Sequence, residues 1–381
     1  MPSTVIQDFL AAPTADRMRT IRAGSHDAEL AAYFGRQAWD EYRALADRSD
    51  PDVDHLAWNT PPNVVFVPGV MGSVLAGRHR PGIWWFDVRT RNRLNDMALA
   101  PDGSASADPG NEVDPVTGDP SYDGFAQAGL AQEDLGFRLF PYDWRKSLER
   151  STDGLKKLIE EYHAENGGKP VHLVAHSMGG LMVRATLMAH GDTLWPKLGR
   201  IVFIATPHYG SGAIAGYLKN HLWGWELLAV LGFYLSRATL RSMWGVLSLL
   251  PAPAGIYPGT RPGDPHPWKG GDADDPYHHP VANFDLYRAE SWKLELDADE
   301  TKRLQTVLDA AADFHRRMQA HHAGLSQDQR DRMLVIAGVG YKTLFRLAYG
   351  RSFFGIWERA EKVTSRIPGD PHREGDGRVP V

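Results

Sequence analysis

The apolar positions of this chain fall into short continuous runs separated by amphipathic stretches. From Asn63 the run VVFV, stopped by Pro68 and Gly69, has the pattern of a buried strand ending in a tight turn. FRLF, just before PYDWR, predicts a second strand. Residues Ser151 to Glu165 then place Leu155, Leu158, Ile159 and Tyr162 on one helical face, with Gly167 and Gly168 to end the helix. VHLVA predicts a strand, HSMGG a turn, Gly179 to about His190 a helix, and IVFIA another strand. Leu304, Val307, Leu308, Ala311 and Phe314 mark a further amphipathic helix, and MLVIAGVG reads as one more core strand. Strands that are apolar on both faces and alternate with helices predict an α/β fold, a mainly parallel sheet with helices on both faces.

Two regions depart from that alternation. Residues 1–58 form a mostly helical leader, with Leu30, Tyr33, Phe34, Ala38, Tyr42 and Leu45 near helical spacing before SDPD, and carry no visible chemistry. Residues 59–381 are then one domain with a helical cap inserted at about 209–280. Its first part, Leu222 to Leu250, is rich in tryptophan and leucine, and its last part is an irregular loop rich in Pro, Gly, Asp and His. Trp223, Trp225, Phe233, Tyr234 and Trp244 fit either an acyl-binding roof that touches a lipid surface or a buried insertion. Glu226, Arg237 and Arg241 interrupt this stretch, so no part of it approaches the ~20 apolar residues that span a bilayer.

Composition narrows the chemistry. Among 381 residues, 47 acidic and 42 basic side chains leave a formal net charge of -5, without the basic excess that nucleic acid requires. Cysteine is absent, which removes disulfides, thiolate-ligated metals and thiol nucleophiles together. The first residues lack a basic flank followed by an apolar stretch, so a secretory signal is not expected and the expected location is cytoplasmic. GDADDPYHHP brings carboxylates beside His278 and His279, but the spacing matches no defined site, and neither a metal nor a cofactor is expected.

VHLVAHSMGGLMV carries the strongest chemical signal. Ser177 follows a strand and precedes a helix, with small Ala175 and Gly179 on either side, the context of a nucleophile elbow. Such a turn projects the serine hydroxyl above the sheet. The usual motif has glycine where Ala175 stands, a difference of one methyl group. Serine is also a good N-cap, so a plain strand-to-helix turn is the competing reading. Acyl chemistry needs oxyanion donors, and the Met178 N–H at the helix start supplies one. The glycine-rich turn in FVPGVMGS offers the second, with Val70 as first choice and Met71 as second.

Taken in order, VVFVPGVMGSVL, GIWWFDV, FPYDWRKSLE, VHLVAHSMGG, IVFIATPHYGS, SMWGVLSLLP, IAGVGYKT and EGDGRVP resemble the lecithin:cholesterol acyltransferase family, over residues 63–381. The resemblance implies an α/β-hydrolase fold. It also implies a serine-dependent lipid ester hydrolase or O-acyltransferase of lipase or phospholipase type, with an acyl-enzyme on Ser177. It makes Met178 and Val70 the oxyanion donors and Asp376 the triad acid, and it puts Trp84 or Trp85 beside the acyl site, where the plain alternative is a core position. Asp143 and Arg145 of PYDWR are expected to brace the sheet edge. The secreted animal members staple their lid with a disulfide, which this cysteine-free chain cannot form. The implied partners are a lipid or other ester substrate and, peripherally, a membrane surface.

The triad order also implies a histidine after Asp376, and none of the 16 histidines follows it. The first expectation is that the domain continues past residue 381 with that histidine. The alternatives are an upstream base, from His372 or the His315, His321 and His322 group, or a non-catalytic lipid-binding or scaffold relative. Hydrolysis and transfer share one nucleophile and are not separated by these residues.

Overall fold

The computed structural model describes residues 4–12, 19–34, 36, 39–40, 43, 63–79, 83–85, 91–118, 137–219, 235–257, 285–338, 344–351 and 358–364. In the leader, α1 (Thr4–Ala11) and α2 (Asp27–Phe34) bury Ile6, Phe9, Leu30 and Ala31 together with Ile21 and Trp39 in a small core of their own. β1 (Val64–Val67) opens the larger unit. It is followed by a three-stranded antiparallel sheet of β2 (Ser73–Gly77), β3 (Ile83–Trp85) and β4 (Val113–Gly118), in the order β3-β2-β4.

The predicted alternation comes next. β5 (Phe137–Leu139), α3 (Thr152–Glu165), β6 (Val171–His176), α4 (Met178–Leu194) and β7 (Leu198–Ile204) follow one another. α5 (Gly212–Lys219), α6 (Arg237–Arg241), α7 (Trp244–Leu247), α8 (Ala298–Gly324) and α9 (Gln327–Asp331) lead into β8 (Met333–Ile336). A hairpin of β9 (Leu344–Arg351) and β10 (Glu358–Thr364) completes the described chain.

The central sheet is parallel throughout, in the order β5-β1-β6-β7-β8. Right-handed crossovers put α3, α4 and α8 on one face, because each connection runs the same way across the sheet. The β1 to β5 connection runs the opposite way across the sheet, and its residues 119–136 lie outside the described residues. This is the expected α/β-hydrolase arrangement, with β6 in the middle of the sheet.

Three expectations change. α4 runs on to Leu194, beyond His190, since Gly191 leaves room for the Trp195 indole and the helix stops only before Pro196. β8 is shorter than MLVIAGVG suggests, and it is not buried: Leu334, Val335 and Ile336 are 55%, 57% and 46% exposed. Among the described residues it pairs with β7 alone, so it stands at the sheet edge, and an apolar run announces a strand without saying what will cover it. Finally, residues 235–252 of the expected cap are built into the body. Met243, Val246 and Leu249 join the main core, while Leu247 and Leu250 pack with Trp292, Leu304 and Leu308. Residues 220–234 and 258–284, with Trp223, Trp225, Phe233, Tyr234, His278 and His279, lie outside the described residues.

PYDWR ties these parts together. The fully buried Arg145 donates from Nε and Nη2 to Asp143 at 2.9 and 2.7 Å and from Nη1 to the Met97 carbonyl at 2.9 Å. Its own carbonyl accepts the Gly245 N–H at 2.9 Å. Removing one partner of a buried pair leaves its charge poorly compensated, here with only Lys146 Nζ at 3.6 Å from Asp143, so Arg145→Ala is expected to cost about 3 kcal/mol. Urea denaturation checks this, and the Asp143→Ala/Arg145→Ala double variant should lose less than the single one.

Candidate active site

β1 and β6 lie in register, Val67 opposite Ala175, so the turns that follow them meet above the sheet. At the end of β6 the backbone folds sharply. Ser177 has φ 51° and ψ -123°, a conformation that a non-glycine residue adopts only when its surroundings enforce it. Its N–H donates to the Ile204 carbonyl at 2.8 Å, which anchors the turn to β7. The small neighbours are steric requirements. A methyl group on Gly179 would meet the Val67 and Pro68 carbonyls, and one on Gly180 would meet the Thr206 side chain. Ala175 is fully buried, and its single methyl group is accommodated.

Ser177 immediately precedes α4, but its side chain makes no capping hydrogen bond, so the N-cap reading loses its physical basis. Among the described residues its Oγ has no hydrogen-bond partner. Met178, the first residue of α4, presents an N–H that no helical carbonyl can accept. Its side chain is buried against Gly245.

Facing this helix start is the turn after β1. A methyl group built on Gly69 would lie 3.1 Å from Ser177 Cβ, so the turn passes close to the serine at Gly69. Among the described residues the Val70 N–H has no backbone acceptor. Met71, with φ 65°, carries the turn through the left-handed region, and Gly72 N–H closes it on Gly69 O at 3.0 Å. Three side chains clamp this turn: Tyr142 Oη donates to Pro68 O at 3.0 Å, Trp85 Nε1 donates to Met71 O at 2.9 Å, and Ser73 Oγ accepts the Tyr142 N–H at 3.1 Å. Tyr142 is a part of the site that the sequence reading missed; its position in PYDWR was the available signal.

Trp85 is buried, with its ring edge against Trp144 at 5.1 Å, so it backs the turn from inside the core. The Trp84 side chain, Asp376 and His372 lie outside the described residues. The His315, His321 and His322 group sits on α8. His315 Nε2 is 2.9 Å from the Leu250 carbonyl, which can only accept, so the proton is on Nε2. Burial pushes His315 down to about 4. His208 follows the same logic: Arg184 Nη1 donates to its Nδ1 at 3.2 Å, and burial together with the Arg184 charge takes it to about 4. Arg184 lies two turns along α4 from Ser177. His321 and His322 are also held low, first by their own burial and then by the Arg184 charge.

Residues 126–251 match the family model described as lecithin:cholesterol acyltransferase. Over that segment the chain is similar to this family. The segment contains Ser177 and Met178; Val70, Trp84, Trp85 and Asp376 fall outside it. The chain is 35% identical over 74 residues to phospholipase A(1) LCAT3 of Arabidopsis thaliana, covering 19% of this chain and 17% of that protein. It is 30% identical over 110 residues to lecithin-cholesterol acyltransferase-like 4 of Arabidopsis thaliana, covering 27% and 20%. The match thus spans a fifth or less of the length of these curated relatives. Among solved structures, the Tle4-Tli4 complex aligns with 84% of this chain and 88% of that chain, at 16% identity and a TM-score of 0.47. The mature lipase BlEst2 of Bacillus licheniformis aligns with 49% and 58%, at 21% identity and a TM-score of 0.26. No helix among the described residues is long and apolar enough to cross a membrane.

Proposed function

We propose that this chain is a serine-dependent lipid ester hydrolase or O-acyltransferase that works through an acyl-enzyme on Ser177. The observation that carries the reading is the strained, uncapped serine at the start of α4, with the Gly69–Val70 turn against its Cβ. Ser177 Oγ attacks the ester carbonyl, and a histidine base oriented by Asp376 takes its proton. The carbonyl oxygen becomes an oxyanion between the Met178 and Val70 N–H groups. Collapse expels the alcohol, which receives the proton, and water or an acceptor hydroxyl then releases the acyl group and restores the serine. Tyr142, Trp85 and Ser73 hold the second donor in place before substrate arrives, so little reorganisation is needed as charge develops.

A fluorophosphonate probe tests the nucleophile directly, on this chain and on any longer reading frame that contains it. Labelling at Ser177 that disappears in Ser177→Ala supports the reading. Lipid binding without labelling in either form favours a non-catalytic relative. Trp85→Phe tests the turn: it keeps an aromatic ring against Trp144 and removes the hydrogen bond to Met71 O. The expected result is a stability loss of about 1 kcal/mol and a larger proportional fall in kcat than change in KM, measured by steady-state ester hydrolysis.

A further inference from the structure

A cavity of about 270 Å³ lies between the 98–107 loop, α6, α7 and the first turns of α8. No residue of the elbow or of the Pro68–Ser73 turn lines it. Its walls are mostly apolar, including Leu99, Leu304 and Val307. The hydroxyls in the wall are already committed. Ser242 Oγ accepts the Leu99 N–H at 2.9 Å and donates to Thr239 O at 2.6 Å, and Thr239 Oγ1 is 3.2 Å from Asn95 Oδ1. Glu300 is committed as well, accepting the Asp297 N–H in the cap of α8.

The groups left over are all donors. Arg241 Nε and Trp244 Nε1 are buried, without a hydrogen-bond partner and closed to the cavity, the Trp244 indole being packed on Gly103; among the described residues neither Arg241 nor Arg303 makes an ion pair, so the donors left to a ligand are the two guanidinium ends. Arg241 is half-buried, and that burial, with Arg237 nearby, disfavours its charge more than Glu300 restores it. A guanidinium taken from water without an acceptor is costly, so such a site asks for an acceptor from outside. Two guanidinium groups against one carboxylate leave an excess of one positive charge. That favours a single negative charge on the ligand, and the apolar walls favour a short hydrocarbon body beside it.

We propose that this cavity binds an alkyl carboxylate, the anion of a short or medium-chain fatty acid, with its head on the Arg241 and Arg303 guanidinium groups and its chain against Leu99, Leu304 and Val307. On the reading proposed above, the same class of acid is released by the reaction, and this site would hold it away from Ser177. Binding itself does not depend on that reading.

Calorimetric titration of the whole chain with octanoate, octan-1-ol and octyl phosphate tests the assignment. Octanoate is expected to bind at least about tenfold tighter than octan-1-ol, the difference one charge-assisted interaction makes. Arg241→Gln should weaken octanoate about tenfold, and the exposed Arg303→Gln, which does not disturb packing, about threefold. Ser177→Ala should bind octanoate as the unaltered chain does, which separates this result from any failure of the catalytic reading. Equal binding of octanol and octanoate, unchanged binding in both arginine variants, or no octanoate heat at millimolar concentration would overturn the proposal. Tighter binding of octyl phosphate would replace the carboxylate with a phosphate head group.

Discussion

Replacing Ser177 with alanine is expected to lower ester hydrolysis by about a thousandfold or more while leaving the fold intact. The size follows from the chemistry: without the nucleophile no acyl-enzyme forms, and only binding and the oxyanion donors remain to assist water. The selectivity follows from the geometry. The Ser177 side chain caps nothing and, among the described residues, bonds to nothing, so alanine removes no stabilising contact. It also keeps the same backbone strain, and the stability should change by no more than about 0.5 kcal/mol. Ser177→Gly extends the argument. Glycine adopts φ 51° without a Cβ penalty, so this variant should be inactive yet more stable, by up to about 1 kcal/mol. Initial rates on a soluble ester and on a phospholipid, read beside thermal unfolding, check both outcomes. Undiminished hydrolysis by Ser177→Ala would remove Ser177 as nucleophile.

The elbow was legible because its determinants are local. VVFV is continuously apolar, VHLVAH buries Val171, Leu173 and Ala175 in alternation, and the pair of glycines after Ser177 is dictated by carbonyl and side-chain contacts one strand away. The turn after β1 was legible only in part. Its glycine signalled a close approach, but what makes it rigid is Tyr142 and Trp85 reaching back from later in the chain, and such hydrogen bonds leave no periodicity. β2 to β4 escaped notice because Pro115 and Asp114 interrupt the pattern of β4, and β9 and β10 because charged residues break the apolar pattern, Arg346 in β9 and the pairs Glu358/Arg359 and Glu361/Lys362 in β10. Arg145 was readable as a brace rather than as a reactive group. A fully buried guanidinium with a carboxylate, a carbonyl and a neighbouring turn as partners has no freedom left for chemistry.

The second large effect concerns acid. His208 and His315 are both buried in the neutral form, with pKa values near 4 against an unperturbed 6.5. Between those values the unfolded chain binds protons that the folded chain refuses, so stability rises with pH across this window and is fully present above about 6.5. Lowering the pH from 7 to 4 should remove roughly 3 kcal/mol for each histidine, about 6 in all. Near pH 5 the slope should approach two protons, or about 2.7 kcal/mol per pH unit. His172, His321 and His322 shift in the same direction but are more exposed and add less. The lowered carboxylates, Glu112 held by Lys146 and Ser106 and Asp114 held by Arg78, begin to cost stability as the pH falls through their ordinary values of 4.5 and 3.8, so they add to the loss only at the acid end of the window. Urea denaturation at half-unit steps from pH 7.5 to 4.5 measures the slope. His315→Gln provides the control, since an amide can still donate to the Leu250 carbonyl but takes up no proton, and the slope should fall by one proton. A stability that stays flat from pH 6.5 to 4.5 would mean that neither ring is held neutral, and the hydrogen bonds from Arg184 to His208 and from His315 to Leu250 would then need another explanation.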